Sequence, residues 1–417
     1  MQYYAGLREN VMTYRVKRAS RILNRILKKT LGPWLVNRYR IEFIEGNMRD
    51  LKPPFVVIGN HTNNWDPFIL SCKISEPIHF VTSVEQFRSR SMRFLLGLAG
   101  CIPKTKAMSD AATVKSLFYV RNRGDVVGIF PEGKRCWDGK TEEILYPTAK
   151  VLKSMGVPVV SFLLHGAYLS HPRWALTPRR GKIQVNYGIL FTPEELKTLS
   201  ADEIYERMCA ALRTNEYSWQ EERMIPFVGK RLAERLERVL FLCPKCRKTG
   251  RLLSRGDTLT CLSCGETVRY NQYGYFEKEG GQPHFKSVLE WNQWQLRELA
   301  VIIRERMEDL GRPIFEDREV TLFTGQRYVA IRKLRRGTLR LYADRLEFMG
   351  RDNHRITFEL SRMNGVSTHL SDWFDFYHEG KFHRAAFKDP HTSANKYTEA
   401  YDIIKRLEQE ERRAKEE

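Results

Sequence analysis

What this chain has little of narrows its reading first. No apolar run approaches the ~18 consecutive residues that a helix needs to cross a bilayer, and the basic N-terminal stretch lacks the apolar core of a signal peptide. Neither a spanning segment nor export is expected, so the chain reads as made and kept in the cytoplasm. Cysteine is sparse: of eight in 417 residues, Cys72, Cys101, Cys136 and Cys209 are scattered and the other four are clustered. That distribution suits a reducing compartment and one metal site better than a disulfide framework. Acidic residues are in deficit, 50 Asp and Glu against 70 Lys and Arg. The balance of +20 asks for an acidic partner, whether nucleic acid, anionic lipid or an acidic carrier protein, and composition does not choose among them. The length is that of two or three domains.

Positive charge is concentrated at the front, where residues 1–40 hold ten Lys and Arg against the single Glu9. Val16, Ala19, Ile22, Leu23, Ile26, Leu27 and Leu31 recur at helical spacing among Arg15, Arg18, Arg21, Arg25, Lys28 and Lys29. The pattern predicts a basic amphipathic helix, broken at Gly32-Pro33 and followed by a second short segment from Trp34. Residues 1–45 are therefore expected to bind an anionic membrane surface.

From residue 53 to about 215, short β-rich runs (55–58, 78–82, 126–130, 157–164, 183–187) alternate with helical stretches, including one over 111–121 with Val114, Leu117 and Phe118 inward. Such alternation predicts an α/β layer around a largely buried sheet. After the first run stands Asn60-His61-Thr62-Asn63-Asn64-Trp65-Asp66. Five helical steps of 100° would leave His61 and Asp66 about 140° apart, so His61 belongs to a loop and Asp66 to the start of the next element. Asp66-Pro67 fits a helix cap with proline at the first position. A capped helix beside a loop histidine and an acid/base pair are both open on these residues alone. After the third run, Pro131-Glu132-Gly133-Lys134-Arg135 places a carboxylate and two cations on a tight turn at a strand end, where open α/β sheets collect functional groups.

Taken together, Asn60-His61-x4-Asp66, Gly100-Cys101-Ile102-Pro103-x-x-Lys106, Phe130-Pro131-Glu132-Gly133-x-Arg135 and Val157-Pro158-Val159-Val160 resemble, in order and separation, the four blocks of the glycerolipid acyltransferases typified by 1-acylglycerol-3-phosphate (lysophosphatidic acid) acyltransferase. The resemblance covers roughly residues 50–215. It implies an α/β acyltransferase domain, a two-helix basic membrane segment before it, and no metal or cofactor in catalysis. It implies His61 as general base and Asp66 as its orienting acid. It also implies Glu132 and Gly133 against the acceptor's hydroxyl and backbone, and Lys106 and Arg135 facing its phosphate, with Lys104 and Lys134 as helpers. Lys106, Lys134 and Ser161 depart from the usual Arg, Thr and Pro, and lysine lacks the planar bidentate grip of arginine on phosphate.

Cys243-x2-Cys246 and Cys261-x2-Cys264, fourteen residues apart, have the spacing of a four-thiolate zinc ribbon, a structural site with every ligand position filled by protein. The ribbon shows no aromatic stacking platform for nucleic acid, which argues against that partner. A helix with Leu289, Leu296, Leu299 and Ile303 then leads to about seven alternating strands and a last helix near 395–409, a pattern that looks like a pleckstrin-homology-type module.

The expected architecture is thus multidomain: a membrane-binding segment (1–45), an α/β acyltransferase domain (46–225), a zinc ribbon with a leading helix (226–280), and a linker helix with a β-rich domain (281–417). The expected activity is transfer of an acyl group from acyl carrier protein or acyl-CoA to lysophosphatidic acid, at the cytoplasmic face of the membrane. Another lysolipid acceptor, or an idle lipid- or nucleic-acid-binding scaffold, are the alternatives.

Overall fold

The computed structural model of the chain describes residues 14–48, 51–105, 111–326 and 330–416. The first unit comprises α1 (Arg21–Tyr39), β1 (Ile41–Glu45), β2 (Val56–Gly59), α2 (Asp66–Ser71), β3 (Ile78–Ser83), α3 (Arg90–Leu98), β4 (Ile102–Lys104), α4 (Ala111–Asn122) and β5 (Val126–Ile129). It continues through α5 (Tyr146–Met155), β6 (Val159–His165), α6 (Ala167–Ser170), β7 (Ile183–Phe191), α7 (Pro193–Thr198), α8 (Ala201–Leu212) and α9 (Glu216–Arg223). Its seven strands lie in the order β1-β7-β6-β2-β5-β3-β4, all neighbours parallel except β6 and β7.

Strand side chains point alternately to the two faces. Val56 and Ile58 of β2 pack with Leu117 and Val120 of α4, Leu152 of α5 and Ile204 of α8. Val57 packs on the other side with Leu35 and Tyr39 of α1 and Ile69 of α2. Helices thus cover both faces, which is why these strands read as continuous apolar runs. The inward face of α4 is Thr113, Leu117 and Val120, while Val114 is exposed, so the sequence-based choice of Val114 was wrong.

The expected break at Gly32-Pro33 is absent: α1 is one helix through both residues, and among the described residues the basic front is not a two-helix segment. A proline inside a helix forfeits one backbone hydrogen bond. Here that loss is offset by packing of the same turns, where Gly32, Leu35 and Tyr39 are buried. The first half of α1 is different, for Ile22 is 72% exposed and Ile26 53%.

A four-stranded antiparallel sheet, β8 (Leu252–Arg255), β9 (Thr258–Cys261), β10 (Thr267–Tyr270) and β11 (Phe276–Glu277), follows. It has no core of its own: Leu252, Leu259, Val268, Tyr270 and Phe276 join Trp137, Tyr168, Trp174 and Tyr217 of the first unit in one aromatic cluster. Helix α10 (Val288–Glu308) puts Val288, Leu289 and Trp291 into that cluster and Leu299 and Ile303 into the next.

The last unit is the expected β-rich region: β12 (Phe315–Gly325), β13 (Arg332–Leu341), β14 (Arg345–Gly350), β15 (Arg355–Glu359), β16 (Met363–His369), β17 (Trp373–His378), β18 (Lys381–Phe387) and α11 (Asn395–Glu416). The strands form one antiparallel sheet, ordered β15-β14-β13-β12-β18-β17-β16. Tyr397, Ala400, Ile404 and Leu407 of α11, at helical spacing, seal it.

Candidate active site

Because β5 lies between β2 and β3 in the sheet, the loops leaving the C-terminal ends of the adjacent strands β2 and β5 meet. The β2 loop is rooted by Asn60, which exchanges two hydrogen bonds with the backbone of Leu164 on β6 (3.0 and 2.8 Å). His61 follows, and Asp66 is the first residue of α2.

The Asp66 side chain does not cap its own helix. Its carboxylate turns back into the loop, where Oδ2 accepts from His61 Nδ1 (2.8 Å), Thr62 N (2.7 Å) and Asn63 N (2.9 Å), and Oδ1 from Thr62 Oγ1 (3.2 Å). Asp66 is fully buried, and the loop is wound around it. With Nδ1–H donated to Asp66, the His61 Nε2 lone pair is left as the free acceptor, the tautomer a general base needs. Burial holds the imidazole below its ordinary 6.5, against the upward pull of Asp66 and with the help of Arg135 and Arg173. Neutral imidazole is therefore the resting form at neutral pH.

The ring is also fixed by stacking, on Phe130 at 4.2 Å between centroids, with Phe130 in turn on Phe80 at 5.7 Å. This ladder depends on Gly128: a Cβ there would fall 2.4 Å from Phe80 Cδ1, so only glycine lets the Phe80 ring lie across β5.

The β5 loop departs from the expected roles. Glu132 is buried, and both its oxygens are engaged by backbone, Oε1 by His61 N (2.5 Å) and Oε2 by Glu142 N (2.7 Å). It braces the histidine loop from behind, a role that sequence reading did not assign to it. Gly133 is exposed at φ +67°, a left-handed turn residue. Lys134 Nζ pairs with Glu142 (3.2 Å), and Glu399 and Asp402 of α11 add to the field that holds its charge. Lys104 ends β4, three strands from β2, or about 14 Å at ordinary strand spacing. Lys106 lies outside the described residues.

Arg135 does stand by His61, within the field of Asp66. Beside it is a cation that sequence reading missed, Arg173, whose Nη1 donates to the Arg135 carbonyl (3.1 Å) and whose guanidinium lies 4.1 Å from the Trp137 ring centre. Arg173 belongs to no recognisable motif, and the return of the chain after α6 brings it here.

The four clustered cysteines come together as expected. Their sulfurs lie within 4.8 Å of one another, with Cys243–Cys264 at 3.6 Å and Cys246–Cys261 at 3.7 Å. A tetrahedron with metal–sulfur bonds of about 2.3 Å has edges of about 3.8 Å, so the four thiols could hold a metal ion. The turn after each pair is closed by a left-handed residue, Arg247 and Gly265.

Comparison with known proteins bears on the first unit. Residues 40–164 match the family model described as Acyltransferase, so this part of the chain carries an acyltransferase-type α/β domain. The chain is also similar to the crystal structure of the 1-acyl-sn-glycerophosphate (LPA) acyltransferase PlsC from Thermotoga maritima, at 15% identity and a TM-score of 0.40, over 48% of this chain and 80% of that one. That likeness is too distant to carry a substrate across. No curated protein matches the chain.

Proposed function

We propose that this protein transfers a fatty acyl group from an acyl thioester, on acyl carrier protein or coenzyme A, to the free hydroxyl of lysophosphatidic acid, giving phosphatidic acid. The observation that carries this reading is the His61–Asp66 pair, held at 2.8 Å at a strand end inside the acyltransferase-type domain with Nε2 left free. The acceptor hydroxyl oxygen attacks the thioester carbonyl carbon while Nε2 takes its proton. Asp66 steadies the imidazolium that results. The tetrahedral intermediate collapses by breaking the C–S bond, and the thiolate recovers the proton from His61. No enzyme nucleophile is needed.

Three supporting roles belong to the same proposal. Arg135 attracts the acceptor's phosphate. The four cysteines hold structural zinc. The first half of α1, with Ile22 and Ile26 exposed beside Arg21, Arg25 and Lys29, rests on an anionic membrane surface at the cytoplasmic face. Among the described residues no helix is long and apolar enough to cross a membrane.

The test offers purified protein a panel of lysolipids with both thioester donors and identifies products by mass. We expect phosphatidic acid from the wild type and none above background from His61→Ala of unchanged circular dichroism. Full activity of His61→Ala would remove the mechanism, and preference for another lysolipid would replace the acceptor.

A further inference from the structure

We infer that Arg173 completes, with Arg135, a two-guanidinium site for a substrate phosphate, and that the β16–β17 hairpin of the C-terminal region sets its position. This rests on the acyl-transfer reading but adds a residue and a part of the molecule to it.

Acidic fields reach both guanidiniums, Asp66 on Arg135 and Glu142 and Glu399 on Arg173, but among the described residues neither is closed by an ion pair. Arg173 spends Nη1 on the Arg135 carbonyl and Nη2 on the carbonyl of Thr368 (2.7 Å), while its Nε is shut off from solvent with no hydrogen-bond partner. Among the described residues no carboxylate lies within salt-bridge distance of either Arg135 or Arg173. Burial and then the charge of Arg135 push Arg173 down to about 9, and His171 is pushed to about 4 by burial and by a set of arginines that Arg135 heads. Like charges held together out of water are costly. A phosphate accepting from Arg135 and from the remaining Nη hydrogens of Arg173 would offset that cost, and both arginines lie within electrostatic reach of His61.

The hairpin is what holds the second fork. Thr368 supplies the carbonyl, and Ser371 Oγ donates to the Arg173 carbonyl (2.8 Å). Asp372 pairs with the buried Arg238, and Thr368 Oγ1 is tied to Thr398 of α11 (2.9 Å). Leu370 and Ser371 both have positive φ, +48° and +68°. A leucine there is strained, and such strain persists where the surroundings over-determine the turn. The C-terminal region thereby reaches into the acyltransferase-type domain and fixes one of its cations.

The phosphate could come from the acceptor's monoester or from the donor's phosphopantetheine arm. Both are tested with the full chain, comparing wild type, Arg173→Ala, Arg173→Lys and Ser371→Ala. Loss of charge-assisted hydrogen bonds predicts a kcat/KM about 10- to 100-fold lower for Arg173→Ala on the phosphate-bearing substrate. Arg173→Lys should recover part of the loss, and Ser371→Ala should show a weaker form of it. If the acceptor supplies the phosphate, lysophosphatidic acid is affected and phosphate-free monoacylglycerol is not. If the donor supplies it, acyl-CoA is affected and an acyl-N-acetylcysteamine thioester is not. Equal loss on every substrate, or no loss, overturns the proposal while leaving His61 chemistry standing. Calorimetric binding of inorganic pyrophosphate needs no turnover: binding by the wild type that Arg173→Ala abolishes supports the site even if acyl transfer fails, and indifference to the substitution refutes it.

Discussion

At the scale of single residues, one carboxylate does two things that usually need two groups. Asp66 both orients His61 and collects the backbone donors of the loop that carries it, so the geometry of the pair is fixed before substrate arrives. The pH dependence follows in sign. Burial lowers the folded imidazole below 6.5, so the base is neutral above that lowered value and is lost as pH falls through it. The acid limb of kcat/KM should therefore have its midpoint below 6.5. Asp66→Asn, which removes the group opposing burial, should move that limb lower and cost roughly 10²–10⁴ in kcat. A limb above 6.5 would mean that burial does not control this histidine. Glu132 makes a separate prediction. If it braces the loop, Glu132→Ala strands the N–H groups of His61 and Glu142 and costs about 1–3 kcal/mol in urea unfolding. An unchanged midpoint with a raised acceptor KM would restore the substrate-contact role.

At the scale of elements, α1 shows how context decides what a helix pattern means. The charged stripe and apolar spacing are continuous, but Leu35 and Tyr39 are buried on the sheet whereas Ile22 and Ile26 face outward. The outward half continues near α3, whose Phe94 is 65% exposed and whose Leu98 carbonyl accepts from Ser20 N (2.8 Å). We expect Ile22→Asp with Ile26→Asp to weaken binding to anionic vesicles at least tenfold in a flotation assay while acyl transfer to a water-soluble acceptor persists. Unchanged flotation would leave the two isoleucines without a membrane role.

At the scale of the whole molecule, the four-stranded sheet of the cysteine region and the acyltransferase-type domain share a core that holds Trp137, Trp174, Trp219 and Trp291. A metal bound to the four cysteines would therefore stabilise more than that small sheet. Structural zinc in small peptides contributes roughly 10–16 kcal/mol. Chelation should accordingly lower the unfolding midpoint and shift tryptophan emission to the red, with recovery on adding zinc. An emission maximum indifferent to chelator would separate the metal site from that core.

Five strands of the first unit, β2, β3, β5, β6 and β7, were legible because buried strands announce themselves as short β-branched runs, whereas β1, β4 and the unbroken α1 were not; the cysteine cluster was legible because metal spacing is local. His61 and Asp66 were legible as two ends of one loop, but that spacing left their pairing open, and it was the order of the other blocks that pointed to it. The charges around them were not legible. Lys134, inside a recognisable block, is drawn away by Glu142 and by α11. Arg173, in no block, is brought in by Thr368 and Ser371 from nearly two hundred residues downstream. Spacing along a chain specifies the geometry of a loop, whereas the partner of a charge is decided by whatever the fold packs against it.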